Sequence, residues 1–399
     1  MGKNLNRLYF LIFFLIFSGY YAILLLGSSI GFAESRSLTV PIRVFTALLI
    51  LFTMLLNRKR LCSYPYLPVF ILFSLFYLIR LLIEYYNNVR THMPVPVTTM
   101  YYFAFAIIPF IGISIQRLNN KQFEVIKKAF VFGAFSFSVF CLYFYGKYIG
   151  QVRRLASNVA DDNVLSPLIL SYNGALAMGI ALILLLTQKN TKLQRLFLII
   201  TLLMAIVPFF LGASRGSIIA LFLPLVIYMY YSTTIKTFFY SIIIFVVVLF
   251  GIAYLDDYLG SGLLDRFLGT SEAISTGGSS ASRLDIWRIS FNQFLDNPLF
   301  GDSIVVKADN PYPHNIILEV LQSVGLIGFI PFIILLVKAF KICLNIFKNH
   351  IEYAWVAVVF IQAFSQQMFS LAIYTGAWFW ASMALLFALN YSLKDKKLL

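Results

Sequence analysis

The chain has 399 residues, of which 60% are hydrophobic and only 12% charged. Soluble domains carry about 25% charged residues, so a soluble fold does not account for this much apolar surface. The formal net charge of +15 points superficially to nucleic acid. The position of the cations argues against such a partner, because most lysines fall where membrane topology alone would put them.

Apolar runs long enough to cross a bilayer predict about twelve spans, at 8–26, 40–56, 67–83, 98–115, 129–146, 164–187, 196–212, 217–231, 237–255, 315–337, 353–371 and 375–391. The first run follows Lys3 and Arg7 like a signal peptide. It is long for one and further spans follow, so it reads as a retained helix. The expected fold is an all-α integral membrane protein. Residues 1–254 would hold spans one to nine, 255–313 a large non-cytoplasmic loop, and 314–399 spans ten to twelve with a cytoplasmic tail.

Lysines and arginines fill the even gaps: Arg58, Lys59 and Arg60; Arg117, Lys121, Lys127 and Lys128; Lys189, Lys192 and Arg195; Lys236; and Lys338, Lys341 and Lys348. Lys394, Lys396 and Lys397 form the tail. Both termini are therefore expected in the cytoplasm. Cys62, Cys141 and Cys343 lie in cytoplasmic gaps or within a span, which implies no disulfide framework.

The outer side is different. Its cations are Arg36, Arg43, Arg90, Arg153, Arg154, Arg215, Arg266, Arg283 and Arg288, with Lys147 and Lys307 the lysines. A guanidinium is a planar fork matched to phosphate and carboxylate, whereas an ammonium is a point charge. The outer set therefore suits anion recognition. The plainer alternative is pairing with Glu34, Glu84, Asp161 and Asp162.

Three stretches carry candidate chemistry, in chain order. In Gly212-Ala-Ser-Arg-Gly216, Arg215 starts the eighth span, Ser214 can cap it, and free N–H groups beside an arginine suit an anion. An interfacial arginine snorkelling to water is an equal alternative. In the second stretch, Ser282 and Asp285 are expected to start a helix that Asn297-Pro298 stops. Leu284, Trp287, Phe291 and Leu295 form one stripe, which predicts an amphipathic helix on the membrane surface or the bundle, after a flexible Ser275–Ser282 segment. Arg283 shares a face with Trp287, and Arg288 points away.

The third stretch, Asn310-Pro-Tyr-Pro-His314-Asn-Ile-Ile-Leu-Glu319, leads into the tenth span and on to Gly325 and Gly328. His314 sits at a water–membrane boundary next to prolines, with Asn315, Glu319 and Gln322 following on one helical face. Histidine is the usual general base near neutral pH, although a lone histidine is more often structural. Gln362, Ser365 and Gln366 form a stripe suited to interhelical hydrogen bonds first and cavity lining second. Arg80 lies inside a span with Glu84 one turn later as its expected partner. Glu34, Asp161-Asp162 and Asp256-Asp257 could hold a hard cation, but nothing ties them to the arginine and histidine stretches.

At Ser214-Arg215-Gly216, Arg283…Trp287…Asn297-Pro-Leu-Phe-Gly301 and Pro313-His314-Asn315…Leu318-Glu319…Gly325, the sequence resembles the O-antigen polymerases and O-antigen ligases. The resemblance covers about the C-terminal half, and upstream only span count and topology agree. It implies a metal-independent glycosyltransferase of the GT-C-like kind, without a cofactor, in a bacterial inner membrane. The large loop would then be periplasmic. Undecaprenyl-diphosphate-linked glycan would be the donor, and a chain-length regulator stands as a further partner. Carried to this chain, His314 is the catalytic base, and Arg215 and Arg283 bind the diphosphate. Arg153, Arg154, Arg288, Asn315 and Glu319 are further substrate-binding candidates. Between Arg154 and the sixth span, Ser157-Asn-Val-Ala-Asp-Asp-Asn163 departs from the Gly- and Asn-containing stretch common in the family.

The leading expectation is a polymerase acting by single displacement. A ligase delivering glycan to lipid A-core is the closest rival. A lipid-glycan transporter is a rival of another class, disfavoured because the polar stretches cluster at one face rather than near the midplane.

Overall fold

The computed structural model describes residues 2–29, 35–58, 61, 65–89, 91, 93–152, 155, 165–231, 235–268, 279–307 and 312–395. Within them the chain is helical, and the one β-type pairing is an isolated bridge between Leu61 and Gln116. The helices are α1 (Gly2–Ile16), α2 (Ser18–Ser29), α3 (Ser35–Leu56), α4 (Leu67–Tyr86), α5 (Val95–Tyr102), α6 (Ile108–Ser114), α7 (Asn120–Tyr145) and α8 (Pro167–Thr187). They continue as α9 (Lys192–Gly212), α10 (Arg215–Tyr231), α11 (Ile235–Leu259), α12 (Leu263–Leu268), α13 (Ser279–Asp296), α14 (Ile316–Asn349), α15 (Ala354–Phe369) and α16 (Ala377–Lys394).

Each predicted span falls largely on a helix, but length and hydropathy qualify fewer of them to cross a bilayer. Among the described residues seven helices qualify, or eight if α1 and α2 form one bent span. Two of the others fall short for physical reasons. At 17 residues and with Pro224 inside, α10 is short. At 16 residues, α15 carries Gln362, Ser365, Gln366 and Gln367, all buried. Such a helix is shielded by its neighbours rather than by lipid.

Three breaks shape the end of the bundle that holds the predicted chemistry. The first span is not one helix, because α1 and α2 meet at 71°. The Ile16 carbonyl at this break accepts a hydrogen bond from the Trp378 indole at 3.0 Å. A π-helical turn at Phe103–Ile107 separates α5 from α6 just before Pro109, which has no backbone N–H to give.

The third break lies inside α14. Gly325 has φ +60° and ψ −165°, a combination that costs any other residue dearly. A Cβ there would stand 2.4 Å from the Leu299 carbonyl oxygen. The Asn297–Asp302 loop fills the gap, with Leu326 and Ile327 N–H groups donating to Pro298 and Leu299 carbonyls at 2.8 and 3.1 Å. Thus the Asn297-Pro-Leu-Phe-Gly301 run and Gly325, noted separately in the sequence, are two halves of one junction.

Arg80 of α4 completes that junction. Its guanidinium donates to the carbonyls of Phe300, Gly301, Asp302 and Ser323 at 2.6–2.8 Å. Glu84 is not its ion-pair partner, contrary to expectation. Instead Glu84 accepts from the Ser303 hydroxyl and the Ile304 N–H at 3.1 and 3.2 Å. The two side chains grip successive residues of one loop, Arg80 satisfying its carbonyls and Glu84 a hydroxyl and an N–H.

Helix α13 starts at Ser279, so Ser282 lies inside it rather than capping it, and residues 279–282 are helical rather than part of a flexible segment. Its packing is the reverse of a stripe docked on the bundle. Leu284, Phe291 and Leu295 are exposed, while Ile286, Ser290, Gln293 and Phe294 are buried. Hydrogen bonds decide the buried face: Ser290 donates to Gln322 Oε1 at 2.6 Å, and Gln293 donates to the Val305 carbonyl at 3.0 Å. Three of the four stripe residues thus face outward, as in an interfacial helix, while Trp287 turns toward Pro313.

Candidate active site

Helix α9 ends with Ala213 in the left-handed region (φ +40°), and α10 begins two residues later at Arg215. The turn is held from below: Ser171 of α8 accepts the Ser214 N–H at 3.2 Å, and Ser217 donates to the Ser214 carbonyl at 2.7 Å. Gly216 is required by close approach. A Cβ there would stand 2.1 Å from the Tyr172 hydroxyl and 3.2 Å from the Phe369 Cβ. Arg215, half-buried, is thereby fixed beside the turn that joins α15 to α16.

The same turn receives His314. Its ring Nδ1 lies 2.8 Å from the Ser370 carbonyl oxygen. A carbonyl can only accept, so Nδ1 carries the proton and Nε2 keeps its lone pair in the neutral ring. The residue sits at φ +55°, in the left-handed region, on the entry to α14. The Tyr312 ring meets it edge-on at 4.5 Å, and the Trp287 indole of α13 donates to the Pro313 carbonyl at 2.8 Å. Burial holds the His314 pKa below the ordinary histidine value; the Ser370 bond opposes the shift and the Arg283 charge adds to it. At neutral pH the ring is therefore uncharged and able to take a proton. Burial also pushes the Tyr312 hydroxyl up to about 12, so it stays protonated.

Arg283, near the start of α13 and half-buried, acts electrostatically on His314, Tyr312 and Tyr172. Tyr172 is the residue against Gly216. One guanidinium thus acts on groups at both the start of α10 and the His314 junction. The Gly216 backbone and the His314 ring, far apart in sequence, both meet the Phe369–Ser370 turn, and the Arg283 charge is felt at both Tyr172 and His314.

Other predicted residues are placed differently. Arg288 is exposed, one and a half turns along α13 from Arg283. The Asn315 side chain caps α14, accepting from the Ile317 and Leu318 N–H groups at 3.0 and 3.2 Å. Glu319 is fully buried, and both its oxygens lie 3.0 Å from the Ile373 N–H. These two side chains hold the frame around His314 rather than facing solvent. Arg153 and Arg154 lie outside the described residues, as do Glu34, Asp161 and Asp162. The Asp256 carboxylate is engaged by Ser261 and by the Leu263 and Leu264 N–H groups at the start of α12. Among the described residues no three or more His, Cys, Asp or Glu side chains gather as a metal cluster would.

Sequence reasoning missed Tyr172, Tyr312 as a ring partner, and Ser370. Only Ser370 left a trace, as a polar interruption between two apolar runs. It also missed a cavity of about 320 Å³ that opens beside His314 and is bordered by Tyr312, Gln366, Ser370 and Arg43.

Residues 199–333 match the family described as O-antigen ligase. The match covers about a third of the chain, from α9 to the middle of α14. It contains Arg215, Arg283, the 297–301 loop and His314, and it agrees with the resemblance to O-antigen polymerases and ligases. A comparison with curated proteins finds no match.

Proposed function

We propose that the protein is a glycosyltransferase of the O-antigen polymerase kind. It would transfer an undecaprenyl-diphosphate-linked glycan to a sugar hydroxyl of another lipid-linked repeat unit. The observation that carries this reading is an uncharged histidine held on the Ser370 carbonyl, with the Arg283 charge acting on it, within the stretch that matches the O-antigen ligase family and also contains Arg215.

The chemistry follows from those groups. The acceptor hydroxyl attacks the anomeric carbon while the bond from that carbon to the diphosphate oxygen breaks. Negative charge grows on a leaving group that is already an anion, and Arg215 and Arg283 stabilise it without a metal ion. His314 Nε2 takes the hydroxyl proton. The Nδ1–H bond to Ser370 fixes the tautomer and steadies the imidazolium that forms. A single displacement inverts the anomeric configuration. In this reading the His314 end faces the periplasm of a bacterial inner membrane, both termini are cytoplasmic, and the chain crosses about twelve times.

Polymerase is preferred over ligase for the Pro313-His314-Asn315-X-X-Leu-Glu319 form. Ligase stands as the second reading because the matching family carries that description. Deleting the gene and separating lipopolysaccharide on a gel distinguishes them. A core bearing a single repeat unit supports polymerase, a bare core with accumulated lipid-linked polymer supports ligase, and an unchanged pattern rejects both.

A further inference from the structure

The cavity beside His314 has a second polar pole that the transfer chemistry above does not use. Arg43 lies about two turns into α3. The flanking Val44 and Phe45 are exposed on the outside of the bundle, whereas Arg43 turns inward and borders the cavity. Its guanidinium carbon sits 5.4, 5.3 and 4.6 Å from the ring centres of Tyr20, Tyr101 and Phe105. The rings hold the half-buried cation in place by its attraction to their faces, and the Tyr20 hydroxyl is paired with it. Among the described residues no carboxylate forms an ion pair with it, and its Nε is buried without a hydrogen-bond partner.

A second group in the same cavity is unsatisfied. Gln366 of α15 is 7% exposed, and its Oε1 has no hydrogen-bond partner among the described residues. Gln362, one turn earlier, spends its amide on an interhelical bond to the Ala175 carbonyl at 2.8 Å. The Oε1 of each glutamine lacks a hydrogen-bond partner among the described residues, but Gln366 borders the cavity and Gln362 does not. A half-buried cation with no counter-ion among the described residues and a buried amide oxygen with no donor among them both call for a polar ligand. The oxygen accepts from a hydroxyl, and the cation takes an anion.

The location says which substrate brings them. Arg215 and Arg283 do not border this cavity, whereas His314 does. The histidine thus stands between a diphosphate side and a second side rich in aromatic rings, which suit sugar faces. We propose that Arg43 and Gln366 form an anion-recognition pole of the acceptor subsite. It would take the carboxylate of an acidic sugar in the acceptor glycan or the phosphate of the acceptor's own lipid. This rests on the glycosyl-transfer function proposed above, but its test does not require turnover.

The test is ligand binding by the full-length protein in detergent, read from tryptophan fluorescence because Trp378 borders the same cavity. The probes are glucuronate and farnesyl phosphate, with glucose and farnesol as neutral controls. Arg43→Gln should bind one of the two anions at least about tenfold more weakly than wild type, as expected for a lost charge-assisted hydrogen bond, with the neutral controls unchanged. Weakened glucuronate binding assigns the pole to an acidic sugar, and weakened farnesyl phosphate binding assigns it to the lipid phosphate. Gln366→Glu adds a repelling charge and should weaken the same anion, which keeps the test decisive if Arg43→Gln fails to fold. Anion binding that neither substitution changes, or that wild type lacks for both probes, overturns the proposal. Loss of glycan transfer in the wild type with Arg43-dependent binding intact would instead refute the transferase reading.

Discussion

Glu319 separates a framework role from a chemical one. Its carboxylate is fully buried and accepts the Ile373 N–H with both oxygens at 3.0 Å, across the turn whose Ser370 carbonyl orients His314. Glu319→Ala removes the acceptor and leaves a buried N–H unpaired, a cost of about 1–3 kcal/mol, to which the void adds. Glu319→Gln keeps a carbonyl oxygen in reach of Ile373 and should cost about 1 kcal/mol or less. Thermal unfolding in detergent can be followed through dye labelling of Cys141 and Cys343, both buried and free. The alanine variant should melt several degrees lower and lose turnover as the 370–375 turn loosens. The glutamine variant should melt near wild type and turn over within several-fold of it. A glutamine variant that melts like wild type but loses about 10²-fold or more in rate would refute this reasoning, because a general base contributes on that scale.

Three further outcomes follow from the geometry. Gly325→Ala combines a disfavoured backbone conformation, about 1–3 kcal/mol, with a Cβ 2.4 Å from the Leu299 carbonyl. It should lower the melting temperature more than Gly251→Ala, where a Cβ meets nothing within 4 Å. Arg215→Lys and Arg283→Lys should each lose most transfer activity, since an ammonium does not reproduce the bidentate fork, while exposed Arg288→Lys should be mild. Wild-type rates in all three would contradict diphosphate binding by the first two. Trp287→Phe removes the donor to the Pro313 carbonyl. It should cost about 1 kcal/mol of stability and lower the rate by loosening the His314 junction; an unchanged rate would show that α13 does not position that junction.

Much of this was legible in the sequence, for identifiable reasons. Helical crossing segments announce themselves because a bilayer demands long apolar runs. The three candidate stretches stood out because arginine, histidine and amide groups are costly next to such runs. What the sequence hid depends on contacts between distant residues. Arg80 looked like half of an ion pair, since Glu84 is one turn away, yet its four carbonyl partners lie more than two hundred residues on. The stripe of α13 was readable as a period, but not which face packs; buried hydrogen bonds from Ser290 and Gln293 decide that. Asn315 and Glu319 read as substrate contacts because they share a face with His314 by spacing. Their side chains are instead occupied by the N-terminus of α14 and by Ile373.

The central claim is that His314 Nε2 is the base, held by the Ser370 carbonyl. The most direct measurement is the pH dependence of glycan transfer from lipid-linked donor by purified wild type, His314→Ala and His314→Gln. Burial, and secondarily the Arg283 charge, keep the His314 pKa below the ordinary histidine range. Protonation removes the base, so the wild-type rate should stay level through neutral pH and fall only below that range, while donor binding changes little. Both variants should lose about 10²–10⁴-fold in rate, retain donor binding, and lack that acid limb. A folded His314→Gln protein that turns over near the wild-type rate with the same acid limb would contradict the account.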